Sequence, residues 1–303
     1  MPVTLALAAL ATGAAGLGWS LAEARSFTLR RVDVPVLPAG SPELRVLHVS
    51  DLHLVPRQRR KADWLRGLAA LRPDLVVSTG DNLAAPDAVP DALAAHGALL
   101  DRPGVFVLGS NDYYGPLPKN PARYLVPSRR ADGGLGTRLP TEDLVRGFVS
   151  AGWSDLTNRR ARLDVAGLAI DVRGVDDPHL GRDRYAQVSG PVDPTAVLTI
   201  GVTHAPYRRT LDAMTADGVP LLMAGHTHGG QLCLPWVGTL VTNCDLPRQQ
   251  ARGLSRWTAP GGEESWLHVS AGLGTSPFTP VRFACRPEAT LLTLRPTTDR
   301  APA

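Results

Sequence analysis

The 303-residue sequence is poor in cysteine, lysine and aromatic residues, and each shortage narrows what the chain can do. Its three cysteines, Cys233, Cys244 and Cys285, contain no CxxC pair, and an odd count excludes a complete intramolecular disulfide framework. There are two lysines, Lys61 and Lys119, and no run of like charge is long enough to serve as a nucleic-acid arm. Aromatic residues make up 5% of the chain, which leaves little surface for stacking bases, so nucleic acid is not the expected partner. No internal repeat divides the sequence. The formal charge of +4 and pI near 9.2 favour the approach of phosphate-bearing substrates or anionic lipid heads, or serve solubility alone.

The N-terminus is a long uncharged, apolar stretch. Residues 3–22, VTLALAALATGAAGLGWSLA, carry no charge until Glu23. At about 1.5 Å per helical residue such a segment just crosses a hydrocarbon core, so residues 1–24 are expected to be an apolar anchor or a signal segment. Arg25, Arg30 and Arg31 follow it, which points the domain after it toward the cytoplasmic side. Small residues in Ala22-Glu23-Ala24 make a cleaved signal and secretion the alternative. Residues 25–43 read as an extended connector, 44–297 as one domain, and 298–303 as a disordered tail.

Within the domain, apolar runs alternate with helical periodicity. Strands are expected at 44–50, 74–78, 105–108, 196–202 and 219–224, with helices near 64–71, 89–100, 141 onward and 206–216. Leu163–Val165 and Leu168–Val172 flank Gly167 as a hairpin, and residues 112–140 form a long loop. The end is β-rich, at 266–270 and 290–294. This alternation predicts an α/β layered sheet.

Five of the apolar runs lead directly into side chains able to bind metal. LRVLHVS precedes Asp51-Leu52-His53, DLVVSTG precedes Asp81-Asn82, and VFVLGS precedes Asn111-Asp112. AVLTIGVT precedes His204, and PLLMAG precedes His226-Thr227-His228. Ligands in α/β sheets gather at the carboxyl ends of strands, so the five ends are expected on a common edge. In extended backbone Asp51 and His53 would face one side, as would His226 and His228. Mixed carboxylate and imidazole donors suit Mn, Fe, Zn or Co better than Ca or Mg. Each piece alone is an ordinary strand-ending turn; the ordered set is not.

Asp51-Leu52-His53, Gly80-Asp81-Asn82, Gly109-Ser110-Asn111-Asp112, His204 and Gly225-His226-Thr227-His228 together resemble the calcineurin-like metallophosphoesterase superfamily. The likeness extends over residues 44–230. Gly229-Gly230-Gln231, Gly272-Leu273-Gly274 and Arg286-Pro287-Glu288 resemble its membrane-associated bacterial branch. The resemblance implies a four-layer α/β/β/α sandwich around two divalent metal ions. Asp51, His53 and His228 would bind the first ion; His204, His226 and an Asn would bind the second, with Asp81 bridging. A water activated between the ions would attack a phosphodiester or pyrophosphate, and a nearby membrane makes a lipid-linked or envelope substrate the expectation. A nuclease or cyclic-nucleotide phosphodiesterase is the alternative within the class, and a metal-binding scaffold the alternative outside it.

One motif departs from the family pattern. Gly109-Ser110-Asn111-Asp112 stands where the family has Gly-Asn-His followed by Asp or Glu. Without a gap, Ser110 replaces the amide ligand and Asn111 the catalytic imidazole; a one-residue shift would let Asn111 supply the amide, which is the expected arrangement because a carbonyl oxygen ligates better than a neutral hydroxyl. The catalytic roles then fall to Asp81 and Asn111, and turnover of esters with poor leaving groups is expected to suffer. His179, in Asp176-Asp177-Pro178-His179, is a loop histidine for which solvent exposure is the default and replacement of the lost imidazole the alternative. Gly133-Gly134-Leu135-Gly136 is expected to be loop, Tyr113-Tyr114 and Trp236 to pack, and Arg129-Arg130 and Arg159-Arg160 to be solvated charge.

Overall fold

The computed structural model describes residues 2–118 and 134–297. Lys119, Arg129-Arg130, Gly133, the middle of the 112–140 segment and the 298–303 tail lie outside these residues. In chain order the elements are α1 (Pro2–Glu23), β1 (Thr28–Leu37), β2 (Leu44–Val49), α2 (Arg59–Gly67), β3 (Leu75–Ser78), α3 (Val89–His96), β4 (Gly104–Phe106) and the single turn α4 (Ser110–Tyr113). They continue with α5 (Thr141–Ser150), β5 (Ser154–Asp155), β6 (Arg159–Val165), β7 (Leu168–Gly174), β8 (Leu198–Thr203), α6 (Arg208–Ala216) and β9 (Leu221–Ala224). A small β10 (Cys233–Leu234) and β11 (Gly238–Thr239) pair, then β12 (Gly253–Thr258), β13 (Glu264–Val269) and β14 (Glu288–Pro296) finish the fold.

The large strands form two six-stranded sheets, ordered β1-β14-β2-β3-β4-β5 and β12-β13-β9-β8-β7-β6. The β2-β3-β4-β5 run and the β13-β9-β8-β7 run are parallel. Alternation along the strands sets the layers. Val46, Leu75, Val77 and Val105 from one sheet meet Val172, Ile200, Leu221 and Met223 from the other in a shared core. The opposite faces, carrying Leu47, Val49, Val76 and Phe106, pack against Leu65, Ala92, Leu144 and Phe148 of α2, α3 and α5. On the second sheet Leu222, Leu267 and Val269 pack against Leu211 and Met214 of α6. The order is helix, sheet, sheet, helix. β3, β8 and β9 are buried along their whole length, which is why their sequences read as unbroken apolar runs.

Two expectations change. The segment 25–43 is more than a connector: β1 pairs in parallel with β14 over Thr28–Leu37 and forms the edge of the first sheet. The apolar N-terminus is helical, but among the described residues no helix is long and apolar enough to cross a membrane. Its end is tied to the domain instead. The Glu23 carboxylate accepts the backbone N–H groups of Ala284 and Cys285 at 3.1 and 2.7 Å, and the indole of Trp19 donates to it at 2.9 Å. The hairpin around Gly167 forms as expected, with both strands longer at the open end, back to Arg159 and on to Gly174.

Candidate metal centre

The five ligand-bearing strands do not share one edge. β2, β3 and β4 end side by side in the first sheet, and β8 and β9 in the second. Because the sheets face one another, the carboxyl ends of both sets close on a single buried site.

Strand alternation does not aim the ligands either. Asp51, His53, Asp81, His226 and His228 all have left-handed backbone, with φ of 49°, 42°, 56°, 69° and 49°. Such φ values are uncommon for residues with a Cβ and mark sharp turns that the surroundings must enforce. Hydrogen bonds across the strand ends do so: Asp51 N–H donates to Gly80 O and His53 N–H to Asp81 O, both at 2.9 Å. Asp112 locks the neighbouring turn, its carboxylate accepting from the N–H groups of Gly109, Asp81 and Asn82 at 3.0, 2.8 and 2.7 Å. Gly109 has to lack a side chain, since a Cβ there would lie 2.3 Å from Asp81 Oδ1 and 2.6 Å from His204 Cε1.

The donor atoms converge. Ligand atoms of Asp51, His53 and His228 lie within 4.8 Å of one another, and so do those of Asp51, Asp81 and His204. His228 Nε2 is 3.6 Å from Asp51 Oδ1, and His53 Nε2 is 3.1 Å from His228 Nε2. The two oxygens of Asp81 divide between the groups: Oδ2 is 3.4 Å from His53 Nε2 and Oδ1 is 3.5 Å from His204 Nε2. His226 stands beside His204, ring centroids 5.2 Å apart, with its backbone N–H donating to the Asp51 carboxylate. Its Nε2 lies 3.3 Å from the carbonyl of Asn243, which as an acceptor leaves Nδ1 as the nitrogen with the lone pair.

These residues fit divalent ions on the evidence of their own atoms. His204 Nδ1 donates to the Thr79 carbonyl at 2.7 Å, so its Nε2 is the atom turned to Asp81; it is buried and has no hydrogen-bond partner among the described residues. Burial disfavours a charged His204, yet Asp81, Asp177 and Asp51 together push its pKa up to about 9. The pocket demands a positive charge, which an imidazolium or a bound cation can provide. Burial lowers His53 to about 4 and holds His226 and His228 well below their ordinary value, keeping three imidazoles neutral and able to ligate. Burial raises Asp81, but His204, His53 and Asn111 outweigh it and keep the carboxylate below its usual range.

Behind Asp51 runs a buried chain of hydrogen bonds. Ser50 Oγ donates to Asp51 Oδ2 at 2.5 Å and Thr79 Oγ1 donates to Ser50 Oγ at 2.6 Å. Thr79 therefore accepts from His48 Nε2 at 3.0 Å, leaving His48 Nδ1 to accept from His268 Nδ1 at 2.8 Å. Every donor in the chain points toward the carboxylate, an arrangement that favours its ionised form against the burial that raises it to about 6.

The altered motif has a definite geometry. Asn111 donates twice to Asp81, from its backbone N–H to Oδ1 at 2.7 Å and from Nδ2 to Oδ2 at 2.9 Å. Ser110 turns away and donates to Asp177 Oδ2 at 2.5 Å. His179 is not simply solvated: it is half-buried, and its ring lies 4.6 Å from that of His226. Tyr113 packs as expected, under the guanidinium of Arg182, whereas Trp236 does not pack and is fully exposed. Arg159 and Arg160 are engaged with Asp155 and with the carbonyls of Val188 and Ser189. Gly134–Gly136 is loop.

Sequence reasoning overlooked Asp177, Arg282 and the His48–His268 pair. Asp177 had a signal: β7 runs into Val175-Asp176-Asp177, a sixth strand ending in carboxylates, although Asp171 and Arg173 interrupt its apolar run. Arg282 is fully buried, donating to the carbonyls of Ala271, Gly272 and Gly274 behind His228, and nothing in its local sequence marks it.

Comparison with known proteins agrees with this geometry. The family description "Calcineurin-like phosphoesterase" matches residues 44–230. An uncharacterized metallophosphoesterase, YkuE, of Bacillus subtilis is 26% identical over 95% of this chain and 94% of its own length. An uncharacterized metallophosphoesterase of Aquifex aeolicus is 28% identical over 87% of this chain and 89% of its own. The phosphodiesterase YaeI of Escherichia coli is 30% identical over 48% of each chain.

Proposed function

This chain belongs to the calcineurin-like phosphoesterase family and is a phosphoric ester hydrolase, and we propose that it hydrolyses a phosphodiester or pyrophosphate at a dinuclear centre. The observation that carries this reading is the division of Asp81, one carboxylate oxygen toward His53 and the other toward His204. In this reading Asp51, His53 and His228 hold one ion, and His204, His226 and Asn111 the other, with Asp81 between them. Two divalent transition ions, drawn from Mn, Fe, Zn or Co, supply the Lewis acidity that lowers the pKa of a water and neutralises phosphoryl oxygens. Asn111 rather than Ser110 provides the amide: it already faces Asp81, and rotating the amide by half a turn presents its oxygen. Ser110 is committed to Asp177. The phosphodiester preference is supported by the name of the Escherichia coli relative.

Membrane association through residues 3–22 belongs to the same proposal. Leu17 and Trp19 are exposed on α1, which suits a helix lying against lipid, and a lipid-linked or envelope phosphoester would be reached there. The grip of Glu23 on Ala284 and Cys285 supports retention of the helix over cleavage of a signal after Ala24. Arg25, Arg30 and Arg31 support a cytoplasmic catalytic domain. Co-sedimentation of the full chain with membranes, lost in a chain starting at Arg25, is the expected result.

The test of activity is a panel of phosphate mono-, di- and pyrophosphate esters with Mn²⁺-loaded protein. Hydrolysis of an activated aryl phosphodiester, abolished by Asp81→Asn, is expected. A protein that binds two ions per chain yet is inert across the panel would overturn the reading in favour of a metal-binding scaffold.

A further inference from the structure

Large apolar side chains left exposed gather on three joined segments. Among the described residues they are Leu17 and Trp19 on α1, Leu234, Trp236 and Val237 in the β10–β11 hairpin, and Phe278 between β13 and β14, with Leu135 and Val149 lying elsewhere. Leu232 pairs with Phe283, and Gln231 Nε2 donates to the carbonyls of Thr279 and Val281 at 2.9 and 3.0 Å, which joins hairpin to loop. The Arg282 N–H donates to Ser20 O at 3.0 Å, beside the Glu23 contacts with Ala284 and Cys285, which joins loop to α1. The loop also adjoins the metal centre, since the Gly274 carbonyl lies 3.2 Å from His228 Nδ1.

Folding does not account for these side chains. Trp236 is fully exposed and its backbone is left-handed, with φ of 64°, so it adds strain and no packing. The segments are also without charge: residues 2–22, 229–244 and 269–281 hold no Asp, Glu, Lys or Arg, in a chain where these make up 20%. In buried strands that would be ordinary; in an exposed hairpin, helix and loop it marks a surface that meets something other than water. Its border is basic. Arg25 follows α1, Arg286 follows Cys285, and Arg252 donates to the Ala284 carbonyl at 3.3 Å, all three exposed. The bordering acids are withdrawn, with Glu23 and Glu288 buried and Asp245 accepting the backbone N–H of Arg208. Uncharged apolar segments bordered by arginines fit a layer of anionic phospholipid. They oppose a twofold pairing of two copies, in which like borders would meet.

We propose that the hairpin tip Leu234–Val237 and Phe278 form with α1 a face that docks on an anionic phospholipid surface. This is a second lipid contact beyond residues 3–22; it rests on the membrane association proposed above and not on the chemistry of the metal ions. The indole of Trp236 enters the interfacial layer, where an amphipathic ring is stable, and Arg25, Arg252 and Arg286 meet headgroup phosphates. Contact through the hairpin, and through the loop that leads from Gly274, holds the metal centre close to the headgroups.

The native cysteines are buried, so Trp236→Cys can carry a nitroxide label on the full chain. Glu263→Cys, in the turn between β12 and β13, is the control, because β13 runs from that turn toward the centre and the turn lies at its far end. On vesicles of phosphatidylcholine with phosphatidylglycerol, the label at position 236 is expected to become more accessible to oxygen and less accessible to a water-soluble nickel chelate. The label at position 263 stays in water. Trp236→Ser combined with Phe278→Ser should weaken vesicle binding by at least about tenfold with little change in Tm, because both side chains are exposed. Vesicles of phosphatidylcholine alone should bind wild type more weakly. A label at position 236 that stays in water on bound protein, or a double variant that binds like wild type, would overturn the face and leave α1 as the anchor. A full chain that ignores both kinds of vesicle would overturn the membrane reading and this face with it. A dimer dissociated by Trp236→Ser, with no change at the label on vesicles, would assign the face to a second copy instead. Binding is read without turnover, so failure of the phosphoesterase reading is a separate result.

Discussion

His53 Nε2 and His228 Nε2 stand 3.1 Å apart with their rings stacked at 5.0 Å, although 175 residues separate them and they come from opposite sheets. Burial lowers both below the ordinary imidazole range, so both are neutral at pH 7. Two neutral nitrogens with lone pairs at that separation repel unless a hydrogen or a shared cation lies between them. A bound ion should therefore stabilise the fold. Mn²⁺ at a hundredfold excess over its dissociation constant is expected to add about 2.7 kcal/mol, seen as a higher Tm than in chelator. His53→Ala or His228→Ala should erase most of that difference. A wild-type Tm indifferent to metal would contradict the pairing.

Gly109→Ala probes the crowding beneath Asp81. The new methyl would lie 2.3 Å from Asp81 Oδ1 and 2.6 Å from His204 Cε1. Overpacking of this kind costs about 1–3 kcal/mol, and displacement of a reacting group by about 1 Å costs roughly 10²-fold in rate. The variant should fold with a lowered Tm and lose activity on every ester together with part of its bound metal. Retention of full activity would show that the two side chains have room to move.

The chain His268–His48–Thr79–Ser50–Asp51 predicts an effect at a distance. His268→Phe removes the donor to His48 Nδ1 and leaves a buried acceptor unpaired, a loss of about 1–3 kcal/mol. Because every donor points toward Asp51, metal affinity should weaken along with stability. Thr79→Val, which cuts the same chain nearer the ligand, should act in the same direction, and the double variant should cost less than the two losses combined. An Mn²⁺ titration separates this from a purely structural role, in which Tm falls and affinity does not.

His96 gives a pH dependence free of the metal centre. It is buried against Phe148 and Trp153, and burial lowers it to about 4 although its Nδ1 donates to Ala92 O. In the unfolded chain it titrates near 6.5, so between these values the unfolded state binds more protons. Its contribution is therefore fully present above pH 6.5 and is lost as the pH falls toward 4, amounting to about 2 kcal/mol at pH 5. His96→Phe should lose about that much less stability than wild type between pH 7 and pH 5 in urea unfolding. An identical pH slope for the two proteins would place the acid sensitivity elsewhere.

Legibility followed locality. β3, β8 and β9 are covered on both faces, so their apolar runs were visible, and the polar residues that end them were visible as ligands. β1 was not, because an edge strand with Arg30 and Arg31 exposed reads like a connector, and its partner β14 lies more than 250 residues away. Asp177 obeys the same strand-then-carboxylate rule as the others. It went unread because its role depends on Ser110, 67 residues earlier.

The sequence by itself determined the chemical kinds of donor, their order, and the strands that carry them, because apolar runs and the residues that end them are local properties. It also exposed the departure at Ser110-Asn111. Only the tertiary structure decided that three ligand-bearing strands join one sheet and two the other, that Asp51 and His53 turn inward through left-handed backbone rather than by alternation, and that His179 comes to rest against His226. These follow from the register of two sheets packed through the core of Val46, Val77, Val172 and Ile200. That register is set by burial between segments distant along the chain, and no local stretch of sequence records it.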